Sequence, residues 1–264
     1  CLYLKGKKVG LITNQTGVTS KMVQNIDAFI KSDNVDLKAI FSPEHGLFGS
    51  ASAGEKIYNK TDSIYGIPLF SLYGNNKKPS QDMLKNLDIL VFDIQDIGIR
   101  SYTYISTMGL AMEAAQERGL EFMVLDRPNP LGLKKIEGNI LSLSFKSFIG
   151  RYPIPYVHGL TIGELAKMIN EQGWLDGGKC NLKIIKMKNY NNNVNYNDLG
   201  LHWVPTSPHV PNATTPLYMV ATGIVGELGF FSNGVGYTTP FMTLGAPWID
   251  ANLLAEKMNL LGLE

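Results

Sequence analysis

Short apolar runs that alternate with amphipathic stretches limit most strongly the folds open to this chain. Four runs have the length of strands: residues 9–13, 37–41, 88–93 and 121–126. Between them, residues 23–30 and 103–118 repeat apolar side chains at helical spacing. This alternation is typical of βαβ units, and the continuous run at 88–93 suits a strand covered on both faces. The sequence predicts an α/β fold whose mostly parallel sheet has helices on both faces.

Local signals mark where helices begin and end. Thr161 and Glu164 have the spacing of a capping box, which predicts a helix after Thr161. Gly119 follows the helix predicted over 103–118, where a glycine cap is expected. Three weaker elements are also predicted: an apolar run at 67–72, a strand at 182–187, and a short helical piece near Met83 and Leu84.

A change in composition near residues 203–216 predicts a domain boundary. The stretch is rich in Pro, Ser, Thr and Asn, and the strand–helix rhythm weakens beyond it. We expect two domains, residues 1–208 and 209–264, the second being a smaller α+β domain. The chain stops inside an apparent helix and its exit turn, so the natural protein is expected to continue beyond Glu264. A leader is expected to have been trimmed from before Cys1.

Charge and cysteine content argue against several classes of protein. The chain has 24 basic and 23 acidic residues, a formal net charge of +1, and no long run of Lys or Arg. Nucleic acid is therefore not an expected partner. Cys1 and Cys180 cannot form a disulfide framework or a zinc knuckle. No stretch has the roughly 20 apolar residues of a membrane-spanning helix.

Unusual polar residues follow the predicted strands. In chain order they are Asn14, the pair Glu44 and His45, the group Asp93, Asp96 and Arg100, and the group Asp126, Arg127 and Asn129. Because the carboxyl ends of parallel strands point the same way, these loops are expected to converge on one rim and form a ligand crevice. The alternative for any single loop is ordinary turn chemistry, since turns favour Asn, Asp, Gly and Pro.

Nucleotide and hydrolase signatures are absent from the chain. It has neither G-x-G-x-x-G after the first strand nor G-x-x-x-x-G-K-[ST], so it lacks a phosphate cradle. It also lacks the G-x-S-x-G elbow of α/β-hydrolases and the H-E-x-x-H of zinc proteases. A parallel sheet with this rim and no nucleotide fingerprint indicates another small polar ligand.

The rim motifs form part of an ordered series over residues 5–210. The series comprises residues 10–17, 43–49, 71–74, 91–98 with Arg100, Tyr102, Thr103 and Tyr104, then 125–130, 137–138, 158–166 and 203–208. It resembles the exo-β-N-acetylmuramidase (NamZ) family. The resemblance implies a Rossmann-like N-terminal domain and release of terminal N-acetylmuramic acid from the non-reducing end of peptidoglycan fragments. It implies a peptidoglycan-derived sugar or muropeptide as partner, and no metal or organic cofactor.

Glycoside cleavage needs a carboxylic acid to protonate the departing oxygen, commonly with a second carboxylate as nucleophile or base. Glu44 is the predicted acid, because it lies at a strand end and matches the family's glutamate; a surface salt bridge is its alternative role. The candidates for the second group are Asp93, Asp96 and Asp126, and both retention and inversion stay open. His45 and His158 either assist or orient their neighbours.

N-acetylmuramic acid carries a lactyl carboxylate, for which a planar guanidinium is the best partner. The candidates are Arg100, Arg127 and Arg151; the alternative for each is an internal ion pair with Asp93 or Asp96. The rings of Tyr102 and Tyr104 are candidate faces for a sugar, although alternating aromatics are more often core. The other predicted substrate-binding residues are Asn14, Asp126, Asn129 and His158.

One stretch departs from the family pattern. Asn233 and Val235 stand where the family's S-E-G-R-G-T stretch has an acidic and a basic residue. A catalytically weak or inactive relative that binds a cell-wall sugar is therefore a second hypothesis. A metal-dependent hydrolase using Glu44, His45, Asp93 and Asp96 is a third. Because peptidoglycan lies outside the cytoplasmic membrane, we expect an extracytoplasmic protein, whether periplasmic, secreted or lipid-anchored.

Overall fold

A computed structural model of the chain describes residues 2–51, 60–61 and 66–262. The chain divides into two compact units, Cys1–Ala213 and Thr214–Glu264. The first unit contains the sheet and all the predicted site residues, and the second follows as a small helical unit.

The first unit is built on a seven-stranded sheet with the order β3-β4-β2-β1-β5-β6-β7. The strands are β1 (Lys8–Thr13), β2 (Asp36–Ser42), β3 (Lys60–Thr61), β4 (Pro68–Ser71), β5 (Ile89–Asp93), β6 (Glu121–Leu125) and β7 (Asn181–Ile185). All neighbours pair in parallel except β3, which runs antiparallel to β4. The predicted α/β fold with a mostly parallel, Rossmann-like sheet is confirmed.

Three α-helices accompany this sheet in the described part of the first unit: α1 (Asn25–Ile30), α2 (Tyr104–Arg118) and α3 (Ile162–Glu171). Two predicted caps are confirmed. Gly119 ends α2 with φ 70°, a left-handed conformation that suits glycine because it lacks Cβ. Thr161 and Glu164 form both bonds of the capping box at the start of α3.

The sheet buries apolar side chains on both faces. Val9 and Leu11 of β1 belong to one core with Ile26 and Phe29 of α1. Since successive side chains point to opposite faces, Ile12 lies on the other face, and it is fully buried as well. The connection from β1 to β2 runs towards one edge of the sheet, and the connection from β5 to β6 runs towards the other edge. Because both crossovers are right-handed, α1 and α2 lie on opposite faces.

One predicted element is wrong. The residues around Met83 and Leu84 form consecutive turns rather than a helix. Their backbone bonds, from Lys85 to the carbonyl of Asp82 and from Leu87 to that of Leu84, close single turns and do not propagate. Leu84 is nevertheless fully buried, so its apolar character serves the core without a helix.

The second unit contains α4 (Thr215–Gly226) and α5 (Ala251–Asn259). Asp250 caps α5 by accepting a hydrogen bond from the amide of Leu253. Between the helices, Ser232 and Gly245 form an isolated antiparallel bridge. In neither unit does the described part include a helix long and apolar enough to cross a bilayer.

Candidate active site

The order of strands reverses between β1 and β5, which are neighbours although three strands separate them in the chain. Ligands of open α/β sheets bind outside the carboxyl ends of the strands at such a point. The segments after β1, β5 and β6 bring Thr16, Gln95 and Arg127 to one cavity there. The predicted rim therefore exists, and its side chains divide into groups with different surroundings.

Glu44 lies two residues beyond the end of β2, and only 7% of its surface is exposed. The hydroxyl of Thr103, the residue before α2, donates a 2.8 Å hydrogen bond to its Oε2. Glu44 is therefore not the exposed half of a surface salt bridge. It is a buried carboxylate held at the rim of the sheet.

His45 has a left-handed backbone, with φ 69°, which is uncommon for a residue with a side chain. Its Nδ1 lies 2.9 Å from the carbonyl oxygen of Ala51, and because a carbonyl only accepts, Nδ1 is the donor. Gly46 follows with φ 79°, so the backbone turns sharply straight after Glu44. In this structure His45 orients the loop that carries Glu44.

Asn14 and the two rim tyrosines form a buried network around Thr206. The amide of Asn14 donates to the hydroxyl of Tyr104 at 3.0 Å, and that hydroxyl donates to the carbonyl of Thr206. Tyr102 donates to Oγ1 of Thr206 at 2.7 Å, and burial raises the pKa of both tyrosines. Tyr104 is completely buried and Tyr102 nearly so, which favours a role in the core for both rings, and their contact with a sugar stays a prediction.

Both carboxylate oxygens of Asp93 accept hydrogen bonds from neighbouring side chains. Its Oδ1 accepts a 2.6 Å bond from Nε of Arg127, and its Oδ2 accepts a 2.7 Å bond from the amide of Asn25. The internal ion pair considered for the arginines is thus found at Arg127. An aspartate with both oxygens engaged in this way is poorly placed to act as a nucleophile or base.

Asp96 and His158 form a second buried pair, with Oδ2 and Nε2 3.6 Å apart. Oδ2 also accepts from the amide of Gly98 at 2.8 Å. The other carboxylate oxygen, Oδ1, is buried and has no hydrogen-bond partner among the residues the structure describes. Asp96 is therefore the rim aspartate with an unused acceptor.

Asp126 and Asn129 form hydrogen bonds that connect segments within the first unit. Asp126 accepts from the hydroxyl of Thr161 at 2.9 Å and from the amide of Gly163 at 2.8 Å, which fastens β6 to the start of α3. Burial raises the pKa of Asp126. Asn129 is 3% exposed and donates to the carbonyl of Leu160 at 3.0 Å. These contacts support the loops of the rim and favour positioning roles, while the substrate-binding roles of both residues stay predictions.

Two of the three candidate arginines are engaged away from the cavity. Nη1 of Arg100 donates to the carbonyls of Asn139 and Ile154, at 2.5 and 2.7 Å. Arg151 pairs with the buried Glu113 at 2.7 Å and with Asp176 at 3.3 Å. Neither lines the cavity at the point of strand reversal, whereas Arg127 does.

That cavity has a volume of about 60 Å³. Its lining consists of Thr16, Val18, Thr19, Ser20, Met22, Gln95, Arg127, Pro128, Tyr196, Leu201, His202 and Val204. Gln95 is fixed there by donating to the carbonyls of Asp96 and Pro128, each at 2.7 Å. Within the described part of the chain, no group of three or more His, Cys, Asp or Glu side chains is arranged to hold a metal ion.

Comparison with known families identifies the chain's relatives. Residues 9–214 match the N-terminal domain of the exo-β-N-acetylmuramidase NamZ, and residues 217–264 match the C-terminal domain. The chain belongs to the NamZ family. The resemblance to this family that the rim motifs indicated is thereby confirmed.

Relatives of this NamZ family member are known in sequence and in structure. It is 46% identical over 260 residues to the peptidoglycan β-N-acetylmuramidase NamZ of Bacillus subtilis (strain 168), covering 98% of the chain and 62% of that protein. Crystal structures of two DUF1343 family proteins from Bacteroides fragilis NCTC 9343 are similar to it, with TM-scores of 0.93 and 0.81 and identities of 49% and 37%. They match 99% and 94% of this chain but 66% and 65% of their own chains. The chain thus spans less than two thirds of each relative.

The sequence did not single out several residues that shape the site in this NamZ family member. They are Thr16, Asn25, Gln95, Thr103 and Thr206, and all are uncharged and polar. Gln95 lies between the candidate residues Asp93 and Asp96, and this position could have marked it as a site residue. Thr206 stands in the family series at 203–208, whereas Asn25 stands at what looks like an ordinary helix start, so nothing local marks Asn25.

Proposed function

We propose that this chain provides the catalytic centre of a glycosidase that removes terminal N-acetylmuramic acid from the non-reducing end of peptidoglycan fragments. Membership of the NamZ family and the name of the Bacillus subtilis relative support the reaction class. The buried Glu44 carboxylate at the sheet rim is the observation that carries the proposal. A peptidoglycan-derived sugar or muropeptide is the proposed substrate.

Glu44 is proposed as the general acid. A glycosidase acid must present its carboxyl group to the glycosidic oxygen in a fixed direction. The hydroxyl of Thr103 donates to Oε2 and fixes the plane of the carboxyl group. The left-handed turn at His45 and Gly46 then leads the chain away at once. Glu44 is thus held firmly enough to deliver a proton in one direction.

Asp96 is proposed as the second carboxylate. Asp93 has both oxygens bound by Arg127 and Asn25, and Asp126 has both bound by groups at the start of α3. Only Asp96 keeps an oxygen that is buried and without a hydrogen-bond partner among the described residues. Nε2 of His158 lies 3.6 Å from Oδ2 of the same carboxylate.

An extracytoplasmic role in cell-wall turnover and recycling is part of the proposal. Peptidoglycan lies outside the cytoplasmic membrane, so the enzyme meets its substrate there. Release of one terminal sugar at a time suits the breakdown of fragments that other wall hydrolases have already cut.

The test is release of para-nitrophenol from para-nitrophenyl β-N-acetylmuramide, with the matching N-acetylglucosaminide as the control substrate. We expect muramide-specific turnover in the wild-type chain and a loss of about 100-fold or more in Glu44→Gln. Glu171→Gln, which changes an exposed glutamate of α3, is the matched control and is expected to retain activity. Full activity of Glu44→Gln contradicts the assignment of the acid.

A sugar-binding relative without turnover is the second candidate, favoured by one observation in the second unit. Asn233, which stands where the family has an acidic residue, is buried, and its Oδ1 accepts from the amide of Val235. That stretch therefore has a neutral internal role. Binding of N-acetylmuramic acid by the folded wild-type chain without any turnover places this candidate first.

A further inference from the structure

The cavity at the point of strand reversal has the size of a substituent rather than of a sugar. Its volume of about 60 Å³ is well below the roughly 300–1,000 Å³ of pockets that enclose a whole small-molecule ligand. The cavity is therefore suited to a small group that projects from a ligand.

The lining of this cavity includes one permanent cation, whose counter-charge, Asp93, lies outside the lining. Arg127 is its permanent cation, and neither aspartate nor glutamate is among its lining residues. Thr19 and Ser20 add hydroxyl groups to the lining, whereas the hydroxyl of Thr16 donates to Oδ1 of Asn14. A guanidinium surrounded by neutral donors favours an anion of planar shape, because a carboxylate can accept two parallel N–H bonds.

Hydrogen bonds to Asp93 and Val18 fix the guanidinium of Arg127. Nε donates to Asp93 at 2.6 Å and Nη2 donates to the carbonyl of Val18 at 3.2 Å. Within the described residues, Nη1 donates no hydrogen bond. The terminal nitrogens of the guanidinium therefore retain donor capacity in a side chain whose direction is already fixed.

Asn25 extends this support into the core. Its amide donates to Oδ2 of Asp93 at 2.7 Å and to the hydroxyl of Thr13 at 2.8 Å. Asn25 is 4% exposed and Asp93 is likewise buried, so neither touches a ligand in the cavity. They act through Arg127 by fixing the angle of its guanidinium, as a preorganised site requires.

We propose that this cavity is the subsite for the carboxylate that distinguishes a muramyl residue from a glucosaminyl residue. In this assignment Arg127 binds the carboxylate, while Asn25 and Asp93 are positioning residues. The inference rests on the proposed function, since it names the part of the same substrate that this region reads. It also selects Arg127 from the three arginines that the sequence offered.

Equilibrium binding, which requires no turnover, tests the subsite directly. Free N-acetylmuramic acid and N-acetylglucosamine are titrated into the wild-type chain by isothermal calorimetry. We expect a preference for N-acetylmuramic acid that falls about 10- to 100-fold in Arg127→Lys, because the second N–H of a bidentate pair is lost. Arg118→Ala, which removes an exposed arginine from the end of α2, is the control and is expected to keep the preference.

Three further variants separate recognition from folding. Ser20 lies on the exposed side of the cavity, so Ser20→Phe obstructs it without disturbing the Arg127–Asp93 pair. It is expected to abolish the preference for the acid sugar while the chain stays folded. Asn25→Ala is expected to lower the preference for the acid sugar by a smaller factor. If Asn25 only stabilised the fold, the preference of the folded variant would be unchanged. Added guanidinium ion is expected to restore part of the preference in Arg127→Ala.

The outcomes distinguish the subsite from the reaction. The subsite is overturned if the wild-type chain binds both sugars equally, or if folded Arg127→Lys and Ser20→Phe keep the wild-type preference. An Arg127-dependent preference in a chain that never releases para-nitrophenol supports the subsite and overturns the proposed hydrolysis. Muramide-specific turnover that folded Arg127→Lys leaves unchanged supports the hydrolysis and overturns the subsite.

Discussion

Oδ2 of Asp96 lies 3.6 Å from Nε2 of His158, and both side chains are buried. The amide of Leu160 donates to Nδ1 of His158, so the proton of the neutral imidazole is on Nε2, the nitrogen nearer the carboxylate. Oδ1 of Asp96 lacks a hydrogen-bond partner among the described residues. Burying such an oxygen is costly, which suits a group kept ready for chemistry.

Asp96→Asn is expected to lower kcat on the chromogenic muramide by about 100- to 10,000-fold, because the amide cannot act as nucleophile or base. Steady-state kinetics with circular dichroism of the variant measures this. Asp33→Asn, at an exposed aspartate, is the control and is expected to leave kcat unchanged. Wild-type kcat in a folded Asp96→Asn would reassign the second carboxylate.

Asp93→Asn is expected to destabilise the first unit by about 3–5 kcal/mol, because it leaves the guanidinium of Arg127 largely buried without its counter-charge. Urea unfolding monitored by near-ultraviolet circular dichroism gives the free energy of unfolding. Glu171→Gln breaks the exposed Lys167–Glu171 pair and is expected to cost less than about 1 kcal/mol. Equal stability of the two variants would mean that Asp93 and Arg127 do not depend on each other.

Burial raises the pKa of Asp126 in the folded protein above its ordinary value of 3.8. The native state therefore holds this proton more tightly than the unfolded state does. The resulting stability is present below pH 3.8 and is lost as pH rises through the folded pKa. We expect the free energy of unfolding of the wild type, relative to Asp126→Asn, to decrease as pH rises through this window. A relative stability that increases over the same window has the wrong sign for this account.

Gly17→Ala is expected to destabilise the first unit by about 1–3 kcal/mol through overpacking. A Cβ at Gly17 would lie 2.2 Å from both Nδ2 of Asn25 and Oγ1 of Thr13, so Asn25 must move away from Asp93. Thermal unfolding measures the effect. In Gly150→Ala the new Cβ meets its nearest neighbour at 3.4 Å, so this control is expected to change stability little. Similar melting temperatures for both variants would refute tight packing at Gly17.

The order of strands and helices could be predicted because its signals are local. The buried run at β5 and the capping box of Thr161 and Glu164 each act within a few residues. Where a local signal was weak, as near Met83 and Leu84, the prediction of a helix was wrong. Apolar residues there serve a turn that contributes Leu84 to the core.

The roles of single rim residues were harder to predict, because strand-end position does not fix the partners of a side chain. Asp93, Asp96 and Asp126 all follow strands, yet two have both oxygens engaged and one does not. Tyr102 and Tyr104 follow the same rim but point into the interior. Their partner Thr206 is about a hundred residues away in the chain, so no local pattern announces the contact.

The sequence by itself determined the α/β fold, the edge of the sheet where polar residues gather, and the NamZ family. These follow from apolar periodicity and from ordered motifs, both of which are properties of neighbouring residues. Only the tertiary structure decided that Asp93 pairs with Arg127 and that Asp96 lies beside His158. Such pairings join residues dozens of positions apart, and burial then makes the hydrogen bonds and charges between them strong enough to fix each side chain.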